Sequence, residues 1–181
     1  MLQKFLNQLE WWSFQALIYV GILMWPIIII LAIFGGGFAI ASDANGDRFC
    51  LAQNIYFESG NQPEAGKVAV ANVTMNRVLH SAYPDTICGV VYDAKMHMNW
   101  KGNAVPVINM CQFSWFCDGK ADVPTDSATW IESLRIASFA LDERYFDVTS
   151  GATHYHNDQV HPYWADHLNE TVVINNHTFY K

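Results

Sequence analysis

Apolar residues are distributed unevenly: an uninterrupted hydrophobic stretch precedes a longer part in which they recur at helical or strand spacing. Residues 11–42 contain no charged side chain. As a helix, the part from Trp11 to Phe34 would be about 36 Å long, more than the ~30 Å hydrocarbon core of a bilayer. We therefore predict one transmembrane helix, a signal-anchor, within residues 11–42. Small residues at its end leave later cleavage, as of a signal peptide, open.

The charges that flank this stretch predict its orientation. Lys4 and the amino terminus lie before it, whereas Asp43, Asp47 and Arg48 lie after it. The positive-inside rule then favours a short cytoplasmic segment, residues 1–10, and an exported domain, residues 43–181. The prediction is a single-pass inner-membrane protein whose folded domain lies in the periplasm or another extracytoplasmic space.

Within residues 43–181 the pattern predicts helices first and short strands last. Helices are predicted over Arg48–Phe57, from Pro63 to about Leu79, from a cap at Asp85 through Val91, and from Asp126 or Ser127 to Leu141. Strands are predicted at Ala152–His156, Thr171–Ile174 and His177–Tyr180. Residues 93–110 show no steady period and contain Gly102 and Pro106, so a loop or short turns are expected there. This order predicts an α+β domain, mainly helical with a small β-hairpin or sheet.

Glu58 occupies an unusual position in the first predicted helix. Counting back by helical turns from Glu58 reaches Asn54 or Ile55 and then Leu51, which places the carboxylate on an apolar face. Burial disfavours the ionised form, so we expect the pKa of Glu58 to be raised. A carboxylic acid that is still protonated near neutral pH can act as a general acid. An ordinary glutamate at a helix edge is the alternative.

All four cysteines lie after the hydrophobic stretch. An even number of cysteines in a small exported domain predicts two disulfides. Of the three possible pairings we prefer Cys50–Cys88 and Cys111–Cys117, the second of which closes a tight loop. The spacing of the last two does not fit a zinc knuckle.

The loop between Cys111 and Cys117 is a candidate sugar-binding segment. Aromatic rings such as that of Trp115 can cover the faces of sugars, and Gln112 and Ser114 could bond hydroxyl or N-acetyl groups. A disulfide-bridged loop whose aromatic residues belong to the core is the competing interpretation.

Histidines concentrate in the last 28 residues, which hold five of the seven in the chain. If residues 152–156 form a strand, His154 and His156 share one face and Tyr155 lies on the other. The two imidazoles could line a groove, pack structurally, or hold zinc together with Glu58 or Asp158. Their spacing matches none of the strong zinc patterns, and we predict no metal and no other cofactor.

Composition disfavours nucleic acid as a partner. The chain has a formal net charge of −7, and the exported domain carries no basic stripe. It also lacks a phosphate-binding glycine loop and the serine-centred turn of the α/β-hydrolases.

Taken together, these blocks resemble the SleB-like cell wall hydrolases, the family of the spore cortex-lytic enzymes. The matching stretches are residues 51–58, 66–77, 83–92, 112–115, 117–119 and 151–156, followed by Pro162, Trp164 and residues 177–181. The resemblance covers about residues 48–181. It departs from the family after the glutamate, where the usual Glu-Ala-Arg-Gly-Glu is replaced by Glu58-Ser-Gly-Asn-Gln62. The missing arginine removes a cation that would favour an ionised carboxyl nearby.

The resemblance implies that residues 43–181 form a lysozyme-like catalytic domain that acts on peptidoglycan. It implies cleavage of the glycan strand at the bond between N-acetylmuramic acid and N-acetylglucosamine, as a lytic transglycosylase with Glu58 as general acid. The expected substrate-groove residues are Gln112, Ser114, Trp115, Thr153, His154 and Tyr155.

Three alternatives stay open. A muramidase would need a second carboxylate, for which Asp118, Asp158 and Asp166 are candidates. A zinc-dependent amidase would use His154 and His156, and a wall-binding anchor would have no activity. The organisation fits a phage endolysin as well as a bacterial wall-remodelling enzyme.

Overall fold

The computed structural model describes residues 45–181, and every element below belongs to that range. Its helices are α1 at residues 45–59, α2 at Glu64–Val78, α3 at Ile87–Val91 and α4 at Ser127–Leu141. Its strands are β1 at Ala94–Met98, β2 at Ala104–Cys111, β3 at His154–Asn157, β4 at Glu170–Ile174 and β5 at His177–Tyr180. Short 3-10 helices span Ser114–Cys117 and Tyr163–His167. The α+β prediction is confirmed.

The predicted membrane span, residues 11–42, lies outside the described residues. Between residues 45 and 181, no helix combines the length and the apolar character needed to cross a bilayer.

The helix boundaries follow from local sequence signals. Pro63 precedes α2 with a φ of −57°, a value already suited to a helix. Asp126 caps α4 by accepting a hydrogen bond from Thr129 N at 2.7 Å. The predicted cap of α3 at Asp85 is wrong, because the hydroxyl of Thr86 accepts the bond from Gly89 N instead.

The larger core joins all four helices to the loop after β2, and α2 contributes Val68 and Ala71 to it. It includes Leu51 and Ile55 of α1, Val90 of α3, Ile136 of α4 and Phe113. The prediction that Leu51 and Ile55 lie on the buried face of the first helix is therefore confirmed. A smaller core packs Ala69 and Val73 of α2 against Ala152 and Phe179. Because both cores use α2, this helix is covered on both sides.

Two disulfides reinforce this arrangement. Cys50–Cys88 joins α1 to α3 with a Cα–Cα distance of 5.2 Å, and Cys111–Cys117 closes the loop after β2. The predicted pairing is confirmed.

The expectation of a loop at residues 93–110 is wrong, because β1 and β2 form an antiparallel hairpin there. Met98, Trp100 and Ile108 are all exposed, and Trp100 is 89% exposed. Since neither strand has a fully buried face, the alternation of apolar and polar residues that marks a half-buried strand is absent.

The second sheet has the strand order β3-β5-β4, with both pairings antiparallel. A two-residue turn at Asn175 and Asn176 joins β4 to β5, and Asn175 has a φ of 54°, which asparagine tolerates better than most residues. This turn packs on α2 at Gly66, where an added Cβ would lie 2.8 Å from the Asn175 Nδ2. Gly66 thus lets the sheet approach α2 closely.

Candidate active site

Glu58 lies in the last turn of α1, where the helix leaves the core. Asn54 and Ile55, one turn earlier, are fully buried, whereas Glu58 is half-buried. Its carboxyl lines a cavity of about 390 Å³. Burial is the main cause that raises the pKa of Glu58 above its ordinary value. The predicted direction of the pKa shift is confirmed.

Tyr155 of β3 donates a hydrogen bond from its hydroxyl to Glu58 Oε2 at 2.9 Å. Its ring is fixed by Phe179 of β5, with ring centroids 5.6 Å apart. Burial and the charge of Glu58 raise the pKa of Tyr155 well above 10, so the hydroxyl stays protonated and donates. This bond favours the ionised carboxyl and partly offsets the desolvation of Glu58.

Arg77 of α2 supplies the positive charge that acts on Glu58 and lowers its pKa. The guanidinium is buried between the rings of Tyr83 and Phe113, at 5.3 and 4.8 Å from their centroids. Its Nε donates to the Thr153 carbonyl at 2.8 Å, directly before β3. Arg77 therefore links the helix layer to the strand that carries Tyr155.

The cavity beside Glu58 is rich in carboxamide side chains. Its polar lining includes Asn61, Gln62, Asn157, Asn176 and His177. Two of these residues follow α1, and the others come from the end of β3, the start of β5 and the turn between β4 and β5, so the cavity lies beside the end of α1 and these segments of the sheet.

Trp115 belongs to the core and packs against α1, the helix that carries Glu58. It is 7% exposed, its ring stacks on Phe57 at 4.8 Å, and its Nε1 donates to Asn54 Oδ1. The ring thus supports the helix that carries Glu58 and presents little surface to a sugar. Gln112 and Ser114 flank it in exposed positions, and neither lines the cavity beside Glu58.

Thr153, His154 and Tyr155 do not act as one surface. Alternation along β3 places His154 and Tyr155 on opposite faces. The His154 ring packs on Trp164 at 5.2 Å, and its Nδ1 lies 3.0 Å from the Thr153 hydroxyl. Both ring nitrogens of His156 have partners, the Asn157 carbonyl and the Tyr180 hydroxyl.

The candidate second carboxylates lie apart from Glu58. Asp118 bonds Lys120, and Asp166 bonds His161 at 2.9 Å. Asp158 is exposed and raises the pKa of His177 by its charge, against the larger lowering by burial. None of the three lines the cavity. In residues 45–181, no three histidine, cysteine or acidic side chains are arranged as a metal site.

A family model described as Cell Wall Hydrolase matches residues 61–180, about two thirds of the chain. The chain belongs to this family. The match begins just after Glu58, at the point where the sequence departs from the usual motif. Family membership is therefore shown by residues 61–180, whereas the placement of Glu58 beside the cavity comes from the structure.

Curated relatives agree with this membership of the SleB-like cell wall hydrolases. The spore cortex-lytic enzyme of Bacillus cereus is 40% identical over 45 residues, and that of Bacillus subtilis is 36% identical over 58 residues. These alignments cover 25% and 32% of the chain, and 17% of each relative. The chain thus aligns with about a sixth of the length of these curated relatives.

Solved structures show the same fold. The catalytic domain of the Bacillus cereus SleB protein superposes with a TM-score of 0.54 at 24% identity, over 76% of this chain and 91% of that one. The catalytic domain of the germination-specific lytic transglycosylase SleB from Bacillus anthracis gives 0.54 at 25% identity, over 75% and 93%. Residues 45–181 therefore have the fold of SleB catalytic domains.

Several residues of the site were not predicted from the sequence. Arg77 was part of a matching block without an assigned role, and the cavity residues are scattered along the chain. The one sequence signal for this part of the cavity is the pair of asparagines before His177, which predicts a hairpin turn there.

Proposed function

We propose that this chain cleaves the glycan strand of peptidoglycan between N-acetylmuramic acid and N-acetylglucosamine, as a lytic transglycosylase. The observation that carries the proposal is the Glu58 carboxyl, which lines an open cavity with a raised pKa and an oriented oxygen. The membership in the cell wall hydrolases and the likeness to a domain named as a lytic transglycosylase support this reaction.

The hydrogen bond from Tyr155 decides which oxygen of Glu58 reacts. Oε2 accepts the tyrosine hydroxyl, so Oε1 carries the transferable proton. Glu58 donates this proton to the glycosidic oxygen while the bond from that oxygen to C1 of N-acetylmuramic acid breaks. The positive charge that develops at C1 faces the newly ionised carboxylate.

The second half of the reaction returns the proton. The muramyl 6-hydroxyl attacks C1, the new C1–O6 bond closes an anhydro ring, and the hydroxyl proton passes to Glu58. The carboxyl is then ready for another cycle. Tyr155 and Arg77 stabilise the ionised form that exists between the two steps, because both favour the charged carboxylate.

This route needs one essential carboxylate, since no water molecule has to be activated. The cavity supports it, because Glu58 is the only carboxylate among the described residues that line it. Anchorage by residues 11–42 and a location outside the cytoplasm remain predictions that fit a substrate in the cell wall.

The test is mass spectrometry of the products that the full chain, purified in mild detergent, releases from peptidoglycan. We expect anhydro-muropeptides, lighter by one water molecule than hydrolysed ones, and none from Glu58→Gln. The matched control is Glu170→Gln, at an exposed glutamate of β4.

Other products would overturn this assignment. Hydrated reducing ends would indicate a muramidase with a second carboxylate. Released peptides without sugar would indicate an amidase, and binding without products would indicate a wall anchor.

A further inference from the structure

The β1–β2 hairpin presents one apolar face to solvent. Its register pairs Met96 with Pro106 and Met98 with Ala104. Residues directly opposite each other in an antiparallel pair project to the same face, and so do residues two apart along one strand. These four side chains therefore share a face, on which both methionines are exposed. Because a two-stranded hairpin gains little stability by itself, an exposed apolar face of this kind indicates an interaction surface.

Trp100 lies at the tip of the hairpin, in a turn that is fixed by Asn99. The Asn99 Oδ1 accepts hydrogen bonds from Lys101 N at 2.9 Å and from Asn103 N at 3.0 Å. Gly102 completes the turn with a φ of 78°. The Lys101 ammonium lies 4.8 Å from the centroid of the Trp100 ring. The turn thus displays an indole and a cation side by side, and both side chains are exposed.

The hairpin is basic, although the chain as a whole is acidic. Residues 94–111 contain two lysines, Lys95 and Lys101, and neither aspartate nor glutamate, whereas the chain carries a formal charge of −7. Asp93 precedes β1 at the base, the end of the hairpin that is remote from Trp100. Lys95 and His97 alternate with the two methionines and therefore project to the opposite face. The hairpin is amphipathic, with cations on one face and at the tip.

These features fit the surface of an anionic bilayer better than a glycan or a protein. A sugar needs hydrogen-bond partners, and the side chains of the apolar face carry no hydroxyl, amide or charged group. A specific protein interface takes about 20–30 residues on each side, which is more than one hairpin face supplies. A bilayer accepts apolar side chains at its interface, tryptophan at the headgroup level and lysine beside anionic headgroups.

Both lysines can act on such a surface. Lys101 lies at the tip beside Trp100, and its contribution to binding is a factor of about five. Lys95 points away from the apolar face, but stacked sheets are only about 10 Å apart, which equals about one Debye length at 0.1 M salt. The chain as a whole is repelled by anionic lipid, so attraction has to come locally from the hairpin.

We propose that the β1–β2 hairpin docks on the surface of a bilayer that contains anionic phospholipid, with its apolar face at the interface and Lys95 and Lys101 near the headgroups. A bilayer would be available to it, because the predicted anchor ends at residue 42 and the described residues begin at residue 45. None of the described residues that line the cavity beside Glu58 belongs to the hairpin, so the proposal does not depend on the proposed function.

Methionine oxidation tests the contact residue by residue. The full chain is reconstituted in vesicles of phosphatidylcholine, alone or with about 30% phosphatidylglycerol, an anionic lipid, and is treated with dilute hydrogen peroxide. Mass spectrometry of peptides then gives the oxidation rates of Met96 and Met98. We expect both rates to be at least about fivefold lower in the anionic vesicles, and to recover when the salt is raised from about 0.1 M to about 1 M. Met75, which packs on the larger core, is the internal reference and should oxidise equally in both.

Variants assign the protection to particular side chains. The double variant Lys95→Gln, Lys101→Gln should abolish the difference between the two kinds of vesicle, because the remaining charge of the chain is repelled by anionic lipid. Trp100→Ser should raise the oxidation rates in anionic vesicles at least about threefold, since the indole no longer enters the interface. The control is Lys120→Gln, at a lysine outside the hairpin whose side chain is 83% exposed. It should leave the protection unchanged.

Four results would overturn the proposal. Equal oxidation of Met96 and Met98 in the two kinds of vesicle, or protection that persists in the double lysine variant, would rule out a contact that depends on lipid charge. A chain that does not float with anionic vesicles would rule out binding altogether. Protection by purified peptidoglycan in vesicles without anionic lipid would assign the hairpin to the cell wall. Protection that rises with protein density instead of lipid charge would assign it to a second copy of the chain.

Discussion

Tyr155→Phe isolates the contribution of one hydrogen bond to the chemistry of Glu58. The substitution removes the hydroxyl that lies 2.9 Å from Glu58 Oε2 and keeps the ring, which packs on Phe179 and His177. Since the packing remains, we expect the variant to fold with little change in thermal stability. Its effect should appear in the rate and in the pH dependence of the rate.

The expected size follows from the difference between charged and neutral hydrogen bonds. A hydrogen bond to a charged group contributes about 1.5–3 kcal/mol, and a neutral one about 0.5–1.5 kcal/mol. The ionised Glu58 that forms on proton donation therefore loses about 1–1.5 kcal/mol more than the protonated form. Because 1.4 kcal/mol corresponds to a factor of ten, kcat should fall about tenfold.

The sign of the pH effect is also fixed. The Tyr155 bond lowers the pKa of Glu58, so its removal raises that pKa further. A general acid loses activity as it ionises, and the alkaline limb of kcat/KM should therefore move to higher pH. The assay is the release of soluble muropeptides from peptidoglycan between about pH 4 and pH 9.

Tyr163→Phe provides the matched control, because Tyr163 is 82% exposed and is not among the residues that line the cavity beside Glu58. It should leave both the rate and the profile unchanged. A limb that stays in place in Tyr155→Phe, or moves to lower pH, would refute the role of this bond.

Further predictions concern stability. Burial raises the pKa of Glu58 above 4.5, so the folded state loses stability as the pH rises from 4.5 through the folded pKa. Glu58→Gln should therefore unfold at higher temperature than the wild type at pH 8 and at the same temperature near pH 4; a variant less stable at pH 8 would contradict this. Replacing Cys50 and Cys88 by serine opens a loop of 38 residues and should lower the free energy of unfolding in urea by about 4 kcal/mol. Opening the six-residue loop between Cys111 and Cys117 should lower the free energy of unfolding by about 2 kcal/mol. A larger loss from the six-residue loop than from the 38-residue loop would show that chain entropy does not dominate.

The elements that could be predicted from sequence are those with one buried face. The helix that ends at Leu141 has its cap at Asp126 and its stripe of apolar residues, and both are present in the structure. The β4–β5 hairpin was predicted because its strands cover α2 on one side. The β1–β2 hairpin has no fully buried face, so its pairing depends on backbone hydrogen bonds that leave no periodic pattern in side-chain polarity.

The residues of the candidate site also differ in whether the sequence could predict their placement. The inward placement of Glu58 could be predicted because its neighbours within one helix define the face on which it lies, whereas its role as general acid was implied by the resemblance and stays a prediction. Tyr155 is 97 residues away along the chain, and its hydrogen bond depends on the packing of β3 against β5. The buried, unpartnered atoms of Asn176 and His177 are a property of the folded chain, and no spacing in the sequence marks them.

The departure from the family motif after Glu58 has a steric counterpart in this fold. The position that the resemblance assigns to arginine is Gly60, where an added Cβ would lie 2.5 Å from the Tyr56 carbonyl oxygen and 3.1 Å from Thr129 Cγ2. The closest of these atoms belongs to the last turn of α1 itself, so a side chain at this position would require a shift of the backbone there, and Thr129 of α4 adds a second close contact. Arg77 provides a positive charge near Glu58 from α2, and because it is buried between two aromatic rings, its charge is poorly screened by water. Glu58 therefore has a cation nearby even though the arginine that follows the glutamate in the usual motif is absent.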